Sequence, residues 1–151
     1  GYIHGDLHHG NILFYPESIG IIDFGLVIRL TDSQADLVWT ILVSLASAQY
    51  DAAAQATLHL LSNGTPFPDA SRPDLLSFLV HTYNAMVHVH KSFSVMTVYD
   101  LNCKLSRYNR LVPPVVVSIA VALNASKGVA RDLALTPSMV FCHPLLKHLK
   151  R

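Results

Sequence analysis

The sequence has 151 residues, which is enough for one domain with its own hydrophobic core. Hydrophobic residues make up 51% of it and charged residues 14%, a composition that excludes an intrinsically disordered chain and suggests apolar surface that another domain or partner covers. The formal net charge is +1 and the one basic cluster is residues 147–151, so we do not expect a nucleic-acid partner.

Cysteine usage and hydropathy bear on the compartment. Cys103 and Cys142 are far apart and form no C-x-x-C motif, which favours an intracellular, reducing compartment over a disulfide scaffold or a zinc knuckle. The most apolar stretch, residues 111–123, contains two prolines and is shorter than the roughly 20 residues of a membrane span. Residues 1–4 show no signal-peptide features and no initiator Met, so we expect the chain to begin inside a longer protein.

The first thirty residues predict a β-hairpin. Two short apolar runs, at 11–14 and 19–22, flank turn-forming residues at 15–18. A helix is then expected over residues 34–48, with Thr31, Asp32 or Ser33 as the N-cap and Asp36 completing a capping box with Ser33. Its buried face is indicated by apolar residues three and four apart: Leu37, Val38, Ile41, Leu42 and Leu45.

Further helices are predicted along the rest of the chain. Asp51 is the expected cap of a second helix, which ends at Asn63 and Gly64. A Pro-rich loop at 65–73 precedes a third helix over 75–90, and residues 91–111 show no clear pattern. Two more helices are expected, one from the 113–114 prolines to about residue 129 and a last one from Thr136 and Pro137 towards Leu149. The expected fold class is therefore mainly α with a small N-terminal β-hairpin.

One group of polar residues near the N-terminus has the composition and spacing of a catalytic site. The octapeptide at residues 4–11 reads HGDLHHGN, and Asp23-Phe24-Gly25 begins twelve residues after Asn11. Phosphoryl transfer requires a positioned acceptor and neutralised phosphate charge more than covalent help from the protein. A carboxylate and an amide on one loop, with a second carboxylate returned by a hairpin, meet that requirement.

The kinase arrangement assigns a role to each of these residues. Asp6 is the candidate catalytic residue, because the loop aspartate accepts or orients the proton of the acceptor. Asn11 and Asp23 are the candidate metal ligands, and through the metal they bind the nucleotide. The expected cofactors are therefore ATP and Mg²⁺. The order and spacing of the residues make chance agreement improbable.

These motifs resemble the UbiB family of atypical kinases. The similarity lies in residues 4–13 and 21–27, and it extends to the late segments 110–114 and 127–133. The resemblance implies a protein-kinase-like C-lobe, with His4 as the structural histidine of the loop. It also implies an ATP-dependent kinase or ATPase linked to ubiquinone or other isoprenoid-lipid metabolism, with a lipid or small-molecule acceptor.

The sequence departs from that family in several places. His9 stands where the family commonly has proline, and Gly5 replaces the arginine of ordinary protein kinases. A Gly-rich loop, a strand lysine and a K-x-G-Q element are not found. Residues 1–151 are therefore expected to be a kinase-like C-lobe that lacks the nucleotide-holding N-lobe and docks to it or to a partner chain.

Two other functions compete with this one. Small-molecule kinases of the aminoglycoside or choline type also contain H-G-D-x-H-x-x-N, and a catalytically inactive pseudokinase scaffold would keep the fold without the activity. A peptide acceptor is disfavoured, because residues 26–32 span at most about 25 Å and leave no room for a peptide platform. A zinc site at His8 and His9, or at His88 and His90, is disfavoured because neighbouring histidines rarely face one ion.

Overall fold

The computed structural model describes residues 1–88 and 95–132 and shows a strand-containing N-terminal part followed by helices. The expected fold class, mainly α with a small N-terminal β-hairpin, is confirmed. The strands are β1 (Tyr2–His4), β2 (Ile12–Tyr15), β3 (Ser18–Ile21) and β4 (Val27–Arg29). The helices are α1 (Asp32–Ala46), α2 (Tyr50–Ser62), α3 (Arg72–His88), α4 (Val95–Ser106) and α5 (Pro114–Asp132).

The predicted hairpin consists of β2 and β3. They pair antiparallel from Ile12 opposite Ile21 to Tyr15 opposite Ser18, so Pro16 and Glu17 form a two-residue connection. A second antiparallel pair, β1 with β4, was not predicted. Its strands have three residues each, which is too short for an alternating pattern to be recognised.

The capping box predicted at Ser33 and Asp36 is wrong. The N-cap is Thr31, whose backbone is extended and whose hydroxyl accepts a hydrogen bond from the Gln34 backbone N–H. The Gln34 side chain accepts in return from the Thr31 N–H at 3.0 Å. Ser33 already lies inside α1, so it is not in the extended conformation that an N-cap requires.

The ends of α2 follow two different rules. Gln49, and not Asp51, is the N-cap, and it makes no side-chain capping bond. Asp51 lies in the first turn, where its negative charge is favourable next to the positive end of the helix dipole. Asn63 ends the helix in the left-handed conformation with φ of 45°, as predicted from Asn63 and Gly64.

Helix α4 occupies much of the segment for which no element was predicted. Its inward contact is made by Leu101 and Leu105, which are fully buried and one helical turn apart. Polar residues are interspersed among the apolar ones, and the sequence alone therefore gave no clear helical pattern here. The helix predicted from Thr136 lies outside the described residues, as do Cys142, His90 and the basic cluster 147–151.

The core lies between the helices. Leu75 of α3 belongs to the same buried cluster as Leu101 and Leu105 of α4, and these are the largest fully buried side chains of the described part. Thr57 and Tyr83 share a buried hydrogen bond between hydroxyls, and burial raises the pKa of Tyr83 to about 12. Helix α5 contacts β1 and β4, which places the N-terminal part against the helices.

A surface ion pair links two of the helices. Lys104 donates a 2.7 Å hydrogen bond to Asp74, which joins α4 to α3 and lowers the pKa of that carboxyl. Within residues 1–88 and 95–132, no helix has both the length and the hydropathy needed to cross a membrane.

Candidate functional site

The loop that follows β1 is held beside the segment after Asp23. The Gly5 backbone N–H donates a 2.8 Å hydrogen bond to the Leu26 carbonyl. A Cβ added to Gly5 would come within 2.5 Å of Leu26 Cγ, so this approach requires glycine. The same contact explains why no larger residue, such as the arginine of ordinary protein kinases, can occupy position 5 in this chain.

His4 connects the loop to the hairpin. Its Nδ1 accepts a 3.3 Å hydrogen bond from the Asp6 backbone N–H, and its Nε2 lies 3.1 Å from the Ile22 carbonyl oxygen. Both contacts are hydrogen bonds when the single proton of the neutral ring is on Nε2. The ring also packs against Phe24, with centroids 5.3 Å apart. His4 therefore joins the residues flanking Asp23 to Asp6, a structural role for this histidine.

Asn11 is the buried centre of the site. Its side chain is 5% exposed, and its Nδ2 donates a 2.9 Å hydrogen bond to the Asp6 carbonyl. Its own backbone carbonyl accepts from the Ile22 N–H at 3.0 Å. Asn11 is thereby fixed to Asp6 on one side and to the residue before Asp23 on the other. These contacts place Asp6, Asn11 and Asp23 on neighbouring segments of the chain.

Asp23 occupies a special backbone position. Its φ is 58°, in the left-handed region that few side chains adopt and that aspartate tolerates better than most. One of its carboxylate oxygens, Oδ1, accepts a 3.3 Å hydrogen bond from the Gly25 backbone N–H. That bond holds the turn at Asp23.

The donor set at this site fits magnesium. The Asn11 amide nitrogen is engaged with Asp6, so its Oδ1 is the side-chain acceptor that remains. An amide oxygen and a carboxylate are both hard oxygen donors of the kind that magnesium prefers, so the Asn11 and Asp23 side chains fit this metal by their chemistry. No group of three His, Cys, Asp or Glu residues suited to a metal occurs in the part of the chain that the structure describes.

The two neighbouring histidines of the loop take separate positions. His8 accepts a hydrogen bond at Nδ1 from the Gly10 N–H, and its Nε2 lies 3.8 Å from Asp6 Oδ2. His9 lies near α5, where a Cβ added to Gly128 would be 3.9 Å from the His9 ring. Sequence reasoning missed both contacts. The short spacing of His8 from Asp6 could have indicated the contact between them, whereas nothing in the sequence indicated the approach of His9 to α5.

Comparison with known proteins gives one family. A model described as the phosphotransferase enzyme family (APH) matches residues 1–77, a segment that contains the loop, the hairpin, Asp23, α1 and α2. Neither the curated proteins nor the solved structures gave a match. These comparisons do not show membership of the UbiB family.

Proposed function

Because the chain belongs to the phosphotransferase enzyme family, we propose that it serves the transfer of the terminal phosphoryl group of ATP to the hydroxyl of a small molecule. The observation that carries the proposal is the hydrogen-bonded arrangement around Asn11, which holds Asp6 and the segment of Asp23 together. A magnesium ion bound with the nucleotide would supply charge neutralisation at the phosphates.

Each site residue has a defined task. Asp6 accepts the proton of the acceptor hydroxyl as the new phosphorus–oxygen bond forms, while the bond between the terminal phosphorus and ADP breaks. Its carboxylate suits this task because it is about half exposed and therefore accessible to an acceptor. Asn11 and Asp23 would hold the metal, and His4 links Asp6 to Ile22, the residue before Asp23.

The segment after Asp23 favours a small acceptor over a peptide. Residues 27–29 are used in β4, which pairs with β1, and α1 begins at Asp32. No length is left for the platform on which protein kinases bind their peptide substrates. A small hydroxyl compound needs only the space beside Asp6.

The apolar surface of the hairpin supports a second lobe as partner. Large apolar side chains stand exposed on and around β2 and β3: Leu13, Phe14, Tyr15, Ile19, Ile21, Ile22, Phe24 and Leu26. Such a concentration is typical of an interface rather than of a free surface. We propose that residues 1–151 form a kinase-like C-lobe and that the lobe covering the nucleotide docks here.

A lipid-like acceptor of the UbiB type is the second candidate. The observation that favours it is the exposure of Phe24 and Leu26, which stand next to Asp23 and would contact an apolar acceptor. The phosphoryl chemistry at Asp6 would be the same. The acceptor alone distinguishes the two candidates.

Metal binding tests the proposal most directly. Manganese replaces magnesium at oxygen ligands and is visible by electron paramagnetic resonance, so binding of Mn²⁺ with ADP can be titrated in the intact protein. We expect Asp23→Asn to weaken this binding at least about 10-fold with little change in stability, because the carboxylate is exposed and outside the core. Asp32→Asn, another exposed aspartate, is the control and should leave binding unchanged. Equal binding by Asp23→Asn and the unaltered protein would contradict the proposal.

Transfer assays then identify the acceptor. The intact protein is incubated with magnesium, labelled ATP and, separately, mixed amino and hydroxyl compounds, isoprenoid-lipid extracts and peptides. We expect labelling of a small-molecule pool that falls by about 10²–10⁴-fold in Asp6→Asn. Labelling confined to the lipid extract would select the second candidate. Efficient Asp6-dependent labelling of peptides would overturn both.

A further inference from the structure

His8 is a loop residue to which the proposed metal and proton-transfer roles assign no task. Its Nδ1 accepts a 3.1 Å hydrogen bond from the Gly10 backbone N–H. A nitrogen that accepts carries no proton, so the neutral ring has its proton on Nε2. Nε2 is also the atom that lies 3.8 Å from Asp6 Oδ2. The loop therefore presents an N–H group to the carboxylate that acts on the acceptor.

The backbone fixes this orientation on both sides of the ring. The His8 N–H donates to the Asp6 carbonyl at 3.0 Å, and the His8 carbonyl accepts from the Asn11 N–H at the same distance. A Cβ added to Gly10 would lie 3.0 Å from the His8 ring carbon Cε1. A larger residue at position 10 would therefore require the His8 ring to shift by a few tenths of an ångström.

From this geometry we propose that His8 is a positioning residue for Asp6, and the inference rests on the function proposed above. When the acceptor binds, its Nε2–H donates to one carboxylate oxygen, Oδ2, and Oδ1 takes the proton of the acceptor. The present separation of Nε2 and Oδ2 exceeds a direct hydrogen bond by about 0.9 Å. Contacts of this kind tighten when substrate binds, and both side chains are exposed enough to move.

Two substitutions separate positioning from loop capping. In His8→Asn the side-chain oxygen takes the place of Nδ1 and can still accept from Gly10, but the side chain is too short to reach Asp6. In His8→Gln the amide nitrogen extends towards Asp6, whereas the capping acceptor is displaced. His59→Gln, on the exposed face of α2, is the control.

Kinetics of the intact protein give the first readout. We expect His8→Asn to lower kcat by about 10–100-fold with the KM for ATP unchanged, and His8→Gln to recover most of the loss. His59→Gln should match the unaltered protein. A kcat for His8→Asn equal to that of the unaltered protein, or a kcat for His8→Gln no higher than that for His8→Asn, would overturn the inference.

A second readout does not depend on catalysis. In ¹⁵N-labelled protein, the imidazole nitrogens of His8 should show a protonated Nε2 and an unprotonated Nδ1, and the Nε2 signal should shift in Asp6→Asn. Protonation mainly at Nδ1, or a signal that Asp6→Asn leaves unchanged, would overturn the inference. If no acceptor is phosphorylated, the proposed function fails while this measurement still decides whether His8 is held to Asp6.

Discussion

The strand and loop region, residues 1–31, and the helical region, residues 32–88 and 95–132, are built on different principles. In the described part of the chain the buried hydrophobic cluster comes almost wholly from the helical region, and Leu30 is its single member from the first region. The strand and loop region instead exposes most of its large apolar side chains and is held by hydrogen bonds around Asn11. The site thus rests on a segment that contributes little to the core, and the helices supply the stability that holds it.

The largest effect expected from this comparison concerns two apolar truncations. Leu75→Ala removes a side chain that is 0% exposed and should lower the free energy of unfolding by about 2–5 kcal/mol. Phe14→Ala removes a larger side chain that is 61% exposed and should change it by no more than about 0.5 kcal/mol. Urea unfolding of residues 1–151 measures both. A loss of unfolding free energy for Phe14→Ala as large as that for Leu75→Ala would show that the strand and loop region also contributes to the core.

A smaller effect is expected at the buried hydroxyl pair of the helical region. Tyr83→Phe leaves the Thr57 hydroxyl without its partner and should cost about 1–3 kcal/mol. The same pair makes stability depend on pH, because burial raises the pKa of Tyr83 from 10 to about 12. The unfolded chain therefore loses this proton first as the pH rises. The contribution of Tyr83 is complete below pH 10 and is lost between about pH 10 and 12.

Comparison of the unaltered protein with Tyr83→Phe isolates the pH dependence that Tyr83 contributes. The decrease in stability over this range should be smaller in Tyr83→Phe by on the order of 2–3 kcal/mol, since the exposed tyrosines are common to both proteins. The measurement is the urea midpoint at successive pH values. Parallel curves for the two proteins would show that Tyr83 is accessible to water, contrary to its place in the core.

The smallest effect lies where the two regions meet. Thr31→Ala removes the side-chain half of the capping box at the start of α1 and should cost about 1 kcal/mol. Ser33→Ala, two residues further on, should cost only a few tenths of a kcal/mol, since Ser33 is exposed and does not cap the helix backbone. Thermal unfolding of the two variants side by side measures the difference. A larger loss for Ser33→Ala would restore the capping box expected from the sequence.

Much of the first region could be predicted because its information is local. The hairpin follows from two apolar runs around a turn, and the structure confirms it. The roles of Asp6, Asn11 and Asp23 stay predictions from their order and spacing. The pairing of β1 with β4 could not be predicted, because it joins strands separated by more than twenty residues and leaves no local pattern. That pairing brings the Leu26 carbonyl to Gly5 and closes the loop.

In the helical region the sequence predicted α1 and α3 from repeating apolar positions, and it predicted α2 and α5 from residues at their ends. Tertiary structure decided the rest. Helix α4 is recognised only from the burial of Leu101 and Leu105, which depends on partners far away in the sequence. The separate contacts of His8 and His9 have the same origin: adjacent residues share a sequence environment, but their side chains are directed by the backbone towards Asp6 in one case and towards Gly128 in the other. The sequence gives the spacing of residues along the chain, whereas the direction of each side chain is set only when the backbone has folded.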